Sequence, residues 1–525
     1  MNRFAELLDR LSYTPGRNDK LALIVDYFRH VPDPDRGYAL AAMTGALSFR
    51  HAKPALIRGL IEERTDPALF RWSYDYVGDM AETVALMWPV RRGVNRVPDL
   101  SEIVEELDST SKADMPGRIA GWLDGLDETG RWALLKLITG AMRIGVSARL
   151  AKQALAQYGS LDIAEVEEVW HGLTPPYLDL FAWSDGLAER PEHGALAPFR
   201  PVMLSHPVEE ADFAKMNPAE FRAEWKWDGI RVQAVSDGGV KRLYSRTGED
   251  ISGAFPDLIE AMEFDAAIDG ELLVIRDGTV APFADLQKRL NRKTVTKKQL
   301  AEFPAGLRVY DLLVEDGEDL RPLSFDERRA RLEDWVARQA NAHITLSPLI
   351  PFAAFEDLAE LRGHVDAESV EGVMLKRGDS PYLAGRPKGP WWKWKRDPFL
   401  VDAVLLYAQR GHGRRSSFYS DYTFGVWKDG ALVPVGKAYF GFTDEELKQL
   451  DKFVRDHTVN TFGPVREVSH EADKGLVLEV AFEGLQRSPR HKSGIAMRFP
   501  RINRIRWDKP PREADEIAAL EKMLA

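Results

Sequence analysis

No cysteine occurs anywhere in the 525 residues. That absence excludes disulfides, cysteine-ligated zinc and a thiol nucleophile, so any chemistry must come from Lys, Arg, Asp, Glu, His or a bound metal. Also lacking is any apolar run long enough to span a bilayer. Residues 1–16 are charged at Arg3, Glu6, Asp9 and Arg10 and have no apolar core of the signal-peptide kind, so the expectation is a cytoplasmic protein. Neither an internal repeat nor a low-complexity tract is present. What is there is ordinary for a globular chain: 44% hydrophobic residues with both charge signs well represented. The length accommodates about three domains of roughly 150 residues each.

The formal net charge of −11 speaks against a polyanionic partner, but only as an average over the chain. Cations gather locally. Residues 485–509 carry Arg487, Arg490, Lys492, Arg498, Arg501, Arg504, Arg506 and Lys509 against the single acid Asp508. A nucleic-acid surface can therefore sit within an acidic chain.

Up to about Trp183 the sequence reads as helices joined by short Gly or Pro turns. Across residues 131–158, for instance, Leu134, Ile138, Met142, Val146 and Leu150 recur at helical spacing and form one stripe. The stretch 186–207, punctuated by Gly194, Pro198, Pro201 and Pro207, has no sustained period and marks a boundary. Beyond it the period becomes that of strands. Residues 230–235 and 240–245 flank the hairpin signal Ser236-Asp237-Gly238-Gly239, and 267–275 runs to a second turn at Arg276-Asp277-Gly278. With a helix at 325–340, this predicts an α+β domain ending near Asp397. Short strands dominate again after Pro398, at 401–407, 422–427, 431–435 and 476–482, with one helical insert after Phe442. A small β-barrel is the expected arrangement.

The strongest local signal is Glu224-Trp225-Lys226-Trp227-Asp228-Gly229-Ile230-Arg231, which contains Lys-x-Asp-Gly-x-Arg. Alone it is suggestive, and a strand-edge turn with solvated cations is the lesser alternative. Further sets follow: Ser245-Arg246, Asp269-Gly270-Glu271, Tyr310-Asp311, Glu371-Gly372-Val373-Met374-Leu375-Lys376 and Trp392-Lys393-Trp394-Lys395. Singly each is weak, since Asp269-Gly270 suits a plain turn and Lys393 and Lys395 suit the solvated face of a strand.

Taken in order, these residues resemble the motifs of the covalent nucleotidyltransferases. The stretch Met497-Arg498-Phe499-Pro500-Arg501-Ile502-Asn503-Arg504-Ile505-Arg506-Trp507-Asp508-Lys509 resembles the final motif of ATP-dependent DNA ligases, with Trp507 where an acidic residue is expected. Likewise Leu134-Leu135-Lys136-Leu137-Ile138-Thr139-Gly140-Ala141-Met142-Arg143-Ile144-Gly145-Val146 resembles their helical DNA-binding domain. The likeness covers the whole chain and is to the bacterial type. It implies an all-α DNA-binding domain at 1–200, an α+β nucleotidyltransferase (ATP-grasp-like adenylation) domain at 201–397 and a C-terminal β-barrel OB-fold at 398–525.

The resemblance also implies roles. Lys226 would attack the α-phosphate of ATP and carry AMP as a phosphoramidate. An exposed lysine is protonated near neutral pH, so activation is expected from Arg246, Lys376, Lys393 and Lys395 converging with the ATP phosphates. Lys393 and Lys395 would hold the α-phosphate while Arg231 and Arg246 reach ribose and phosphates. Glu224 would accept from the adenine amino group and Tyr310 would stack on the base. Glu271 would meet the ribose or a metal and Glu371 a metal, Mg²⁺ by the hardness of carboxylate oxygen, with Mn²⁺ as a substitute. Arg506, Asp508 and Lys509 would orient the β- and γ-phosphates during the first step, then swing away from the site. Lys136, Arg143, Arg149 and Lys152, near Gly140 and Gly145 that permit close backbone approach, would meet DNA phosphates in a sequence-independent way.

The expected enzyme is thus a monomeric ligase that seals nicked duplex DNA in repair, replication or recombination, associated with the nucleoid in a bacterium. Three alternatives stand beside it. An NAD-dependent ligase normally carries a cysteine zinc site that this chain cannot form. RNA ligases and capping enzymes share the nucleotidyltransferase motifs but not the long helical region. A catalytically silent DNA-binding scaffold would have no use for Lys226, Glu371, Lys393 and Lys395 together.

Overall fold

The computed structural model describes residues 1–525 apart from 90–95, 141, 192–196, 291, 293–294, 364–368, 411–418, 440–442, 490 and 525. Gly194, Ala141 and Arg490 of the sequence reading lie outside the described residues. Two compact units are present: one comprises residues 1–158, 175–181 and 397–525, the other 159–174 and 182–396. Among the described residues no helix is long and apolar enough to cross a membrane.

The N-terminal region is helical from Asn2–Tyr13 to Leu178–Ser184. Three of its helices carry or adjoin the cations expected to meet DNA: α1 (Met80–Met87), α2 (Glu128–Thr139) and α3 (Ala148–Gly159). Acidic caps start the first two, since the Asp79 carboxylate accepts from the Glu82 amide and that of Asp127 from Gly130. The stripe expected over 131–158 is corrected here. Gly140 adopts φ 68° and closes α2, so Leu134 and Ile138 lie on one helix and Leu150 on the next. A glycine able to take the left-handed cap conformation outweighs apolar periodicity that runs past it.

Two of the proposed DNA-contacting lysines are also corrected. Lys136 is 3% exposed, and its ammonium lies 2.5 Å from Asp79 Oδ2. Lys152 is buried as well. A lysine on the inward face of a helix is tolerated when a carboxylate compensates it, which Asp79 does for Lys136 while also capping α1. Arg143 and Arg149 are exposed, the former at φ 48° in the α2–α3 connection. That connection is pinned by Lys20, whose ammonium donates to the carbonyls of Ile144 at 2.7 Å and Gly145 at 3.0 Å. Glycine is favoured at Gly145 by its φ of 66°, and a Cβ there would also come within 2.3 Å of Lys20 Nζ and displace the ammonium. Its close approach serves the fold. Gly140 has open space on that side.

Among the described residues the second unit holds two sheets. Its strands include β1 (Phe221–Trp227), β2 (Ile230–Asp237), β3 (Val240–Ser245), β4 (Ala266–Arg276), β5 (Ala305–Glu315), β6 (Val370–Arg377) and β7 (Trp391–Lys395). One sheet runs β7-β6-β1, bordered by the short strands His206–Pro207 and Leu349–Ile350; the other runs β3-β2-β4-β5. The β2–β3 hairpin turns through Gly238 and Gly239 at φ 54° and 83°, the left-handed pair that matches strand twist. Helix α4 (Phe325–Gln339) starts on a Ser324–Glu327 capping box and buries Phe325, Leu332 and Trp335. The main core of this unit lies between α4 and one face of the second sheet, built from Val232, Ala234, Ile268, Leu272, Leu307 and Leu312 with Leu332 and Trp335.

The C-terminal region is β-rich. Strands β8 (Phe399–Arg410), β9 (Tyr419–Lys428), β10 (Ala431–Ala438), β11 (Val477–Phe482) and β12 (Arg501–Arg506) belong to one seven-stranded sheet in which β11 pairs with both β8 and β12. Helix α5 (Asp444–His457) supplies Leu450 and Val454 to the core of this sheet.

Candidate active site

Residues two apart on a strand share a face. On β1 those are Glu224 and Lys226. Their partners on β6 are Met374 and Gly372, and the partners of these on β7 are Lys393 and Lys395; Lys376 continues the row beside Trp391. The opposite face carries Ala223, Trp225, Val373, Leu375, Trp392 and Trp394, packed with Phe213 and Phe355. Burying that apolar face turns the charged set to the other side, so alternation alone collects Lys226, Lys393 and Lys395 on one surface. Gly372 stands between Lys226 and Lys395 at φ 150°, where a Cβ would lie 2.2 Å from the Trp394 carbonyl oxygen. Register slips at this point between Val370 and Gly372, and the slip accommodates Glu371.

Lys226 Nζ lies 2.5 Å from Glu371 Oε2, and Lys395 Nζ lies 3.6 Å from the same oxygen. Burial pushes the Glu371 carboxyl up, but the adjacent Lys226 ammonium, helped by Lys395, overrides it and holds the group at about 2. Glu271, on β4 in register with Arg231, behaves oppositely. Burial pushes its carboxyl up to about 8 against the pull of Lys226 and Arg231, and the Glu371 charge adds to the rise. Lys393 is lowered by burial and then by Arg386, Lys226, Lys395 and Arg246, so four other cations lie within electrostatic reach of it. Such a gathering of like charge is the environment a polyphosphate neutralises.

The base-side residues are engaged differently from the sequence expectation. Glu224 is 1% exposed, with Oε2 2.6 Å from Lys376 Nζ and Oε1 2.9 Å from Arg329 Nη1. Lys376 is equally buried and sits 4.4 Å from the centre of the Tyr310 ring and 4.5 Å from that of Trp391. It is therefore the counter-charge of Glu224 and does not join the cations around Lys393, because the buried carboxylate draws it away. Arg231 is likewise corrected. Its guanidinium bonds both oxygens of buried Asp269, at 3.0 and 2.5 Å, and donates to the Met203 carbonyl and the Tyr382 hydroxyl, so it braces β2 rather than reaching a phosphate. Arg246 is exposed.

In the C-terminal region, Arg506 Nε and Nη2 bond Asp508 at 3.0 and 2.9 Å, and Lys509 Nζ lies 2.7 Å from Asp402 Oδ2. The Arg506 hydrogen bonds hold the Asp508 carboxyl at about 2. Trp507 is exposed and meets the edge of Phe453.

Sequence reasoning passed over Arg329, Arg386 and Asp402. Nothing in their local sequence distinguishes them from solvated charges; Arg329 and Asp402 are found only through partners distant in the chain, and Arg386 through its field at Lys393. Arg308, in register opposite Glu271, was also missed, and its guanidinium lies 5.6 Å from the centre of the Trp227 ring. Arg386 is exposed yet adds to the field at Lys393. Arg386→Ala is expected to weaken binding of a triphosphate about tenfold, the effect of losing one charge-assisted contact of about 1.5 kcal/mol. Titration with nucleotide followed by tryptophan fluorescence measures it.

Among the described residues no group of three or more His, Asp or Glu is placed to hold a metal by itself. Magnesium is commonly held by one or two carboxylates together with substrate phosphates, and Glu271 with Glu371 suits that donor set. Burial is the main cause of the rise at Glu271, and the smaller part that the Glu371 charge adds is what a shared cation would relieve.

Comparison with known proteins agrees with this geometry. Residues 202–395 match the ATP dependent DNA ligase domain and 415–509 the ATP dependent DNA ligase C terminal region. The chain is 30% identical over 566 residues to a "Probable DNA ligase" of Koribacter versatilis, covering 100% of this chain and 96% of that protein. It is 30% identical over 554 residues to "DNA ligase 1" of Korarchaeum cryptofilum, covering 100% and 98%. The solved Pmar-Lig_Pre chain shares the fold, with a TM-score of 0.60 at 17% identity over 96% of this chain and 99% of that one.

Proposed function

The chain belongs to the ATP-dependent DNA ligase family, and from that premise we propose that it seals nicked duplex DNA through AMP carried covalently on Lys226. The observation that supports this is Lys226 on one sheet face with Lys393 and Lys395, its ammonium held by Glu371.

In the first step the ammonium, held in place by Glu371, loses a proton to solvent. The Nζ lone pair then bonds to the α-phosphorus of ATP as the bond to the bridging oxygen breaks, and pyrophosphate leaves with that electron pair. Lys393, Lys395, Arg386 and Arg246 stabilise the added negative charge. Arg506, Asp508 and Lys509 are assigned to the β- and γ-phosphates of the leaving group. In the second step a 5′-phosphate oxygen at the nick displaces Lys226 and takes the AMP. In the third the 3′-hydroxyl attacks that phosphate, AMP leaves and the strand is closed. Glu271 and Glu371 would hold Mg²⁺, or Mn²⁺ in its place, which supplies charge neutralisation at the phosphates.

For the base, Tyr310 is assigned to stacking and Glu224 to the adenine amino group. Both Glu224 oxygens already accept from cations, which leaves remaining lone pairs for that contact. We read residues 1–200 as the DNA-binding domain, 201–397 as an ATP-grasp-like adenylation domain and 398–525 as an OB-fold barrel. The match over 202–395 and the β-rich C-terminal region support the division. Exposed Arg143 and Arg149 are assigned to DNA phosphates. Repair, replication and recombination all present such nicks, and a monomer suffices for the chemistry.

The test is direct. With Mg²⁺ and ATP labelled at the α-phosphate the protein should acquire label that survives denaturation, whereas GTP and NAD⁺ should leave it unlabelled. Adding nicked duplex DNA should then discharge the label and close the strand. Labelling from NAD⁺, or discharge only to nicked RNA, would sink the reading.

A further inference from the structure

Asp402 was not selected by any motif, yet it collects two of the cations assigned to the pyrophosphate. Its Oδ2 lies 2.7 Å from Lys509 Nζ and 3.1 Å from Arg506 Nη1, so one carboxylate oxygen bridges both heads. The other oxygen, Oδ1, is buried and has no hydrogen-bond partner among the described residues. The side chain therefore serves the two cations rather than the fold's own backbone. Its backbone, by contrast, is fixed on both sides: the Asp402 amide donates to Asp515 Oδ2 at 2.8 Å and the Asp402 carbonyl accepts from the Asp515 amide at 2.9 Å. Across the strands, Asp402 pairs with Glu479, which lies opposite Arg504. Asp402 is thus a rigid anionic strut under two long, otherwise rotatable side chains.

We propose that Asp402 is a positioning residue for the first step: it holds Arg506 and Lys509 side by side so that both reach the departing pyrophosphate together. The hydrogen bonds occupy Nε and one hydrogen on each Nη of Arg506, and one of three hydrogens on Lys509. Each head keeps donors for phosphate oxygen while Asp402 fixes its direction. Without the carboxylate, like charges splay the two heads apart, and each regains rotamer freedom that must be surrendered in the transition state. The inference rests on the assignment of Arg506 and Lys509 to pyrophosphate under the proposed function.

Single-turnover adenylation at saturating ATP, and sealing of a nick that already carries 5′-AMP, should be measured on the full chain for wild type, Asp402→Asn, Arg506→Ala and the double variant. Asp402→Asn should slow adenylation about tenfold, leave sealing of the pre-adenylated nick within about twofold and add little to Arg506→Ala. Asp402→Glu, which keeps the charge, should recover part of the rate. If Arg506→Ala slows adenylation while Asp402→Asn does not, the strut is wrong and the assignment beneath it stands. If Arg506→Ala leaves adenylation unchanged, the assignment itself fails. Equal loss of both reactions in Asp402→Asn overturns the proposal in favour of a structural role.

Discussion

Lys226→Ala should give no detectable protein–AMP adduct and reduce overall sealing of a nick by about 10⁴-fold or more, because the covalent route loses its nucleophile. A nick supplied with 5′-AMP already attached should still be closed by the variant, since the final displacement uses the 3′-hydroxyl and leaves the lysine out. The fold should survive. Lys226 and Glu371 are partly exposed, and Lys395 remains 3.6 Å from the stranded carboxylate. The stability loss is therefore expected near about 1–2 kcal/mol, the lower part of the range for an unpaired charged group. Lys226→Arg sharpens the test. Arginine keeps the charge opposite Glu371 but has no neutral form near pH 7, so adduct formation should vanish while stability stays close to wild type. An adduct on either variant would place the nucleophile elsewhere.

That Lys226 stands out as the candidate nucleophile in the sequence reflects where its information lies. Lys226, Lys393 and Lys395 occur in short patterns whose spacing is the period of a strand, and the alternation that buries Trp225, Trp392 and Trp394 carries the lysines to the opposite face, whereas Glu371 joins them through the register slip beside Gly372. Strands were readable for the same reason. The expected segments 230–235, 240–245, 267–275 and 401–407 fall inside or coincide with β2, β3, β4 and β8, because alternation and glycine-bearing turns are local signals. The helix expected at 325–340 is observed at Phe325–Gln339, started by the Ser324–Glu327 capping box.

Partner choice was not local, and there the reading failed. Lys136 and Lys152 look like surface cations until tertiary packing turns them inward, and Arg231 looks like a phosphate ligand until Asp269 on the neighbouring strand takes it. Charge on a lone residue says little about where its counter-charge stands. The Gly140 break shows the same limit in the backbone, since the apolar stripe runs through a residue whose freedom ends the helix.

Lys376→Met tests the most consequential of these reassigned pairs. Lys376 and Glu224 are each at most 2% exposed as side chains and 2.6 Å apart. Removing one partner of a buried pair costs about 3–5 kcal/mol, and Arg329, 2.9 Å from the other oxygen, keeps the expected loss near about 3 kcal/mol. The loss should depend on pH, and its sign follows from Glu224. Burial raises that carboxyl above its ordinary value even with Lys376 and Arg329 opposing the rise. A carboxyl raised in the folded state contributes stability that is present below its unfolded pKa, about 4.3, and is lost as pH climbs through the folded value. Deleting the ammonium lifts the folded value further, so Glu224 takes up a proton over a wider range and the variant escapes part of its penalty in acid. Denaturant melts of Lys376→Met against wild type should show a larger deficit at pH 8 than at pH 5. Glu224→Gln in the Lys376→Met background should recover much of the deficit at pH 8, because the uncompensated charge is gone. A deficit that is the same at both pH values would mean that Glu224 is not what Lys376 compensates, and that the lysine is held by the Tyr310 and Trp391 rings instead.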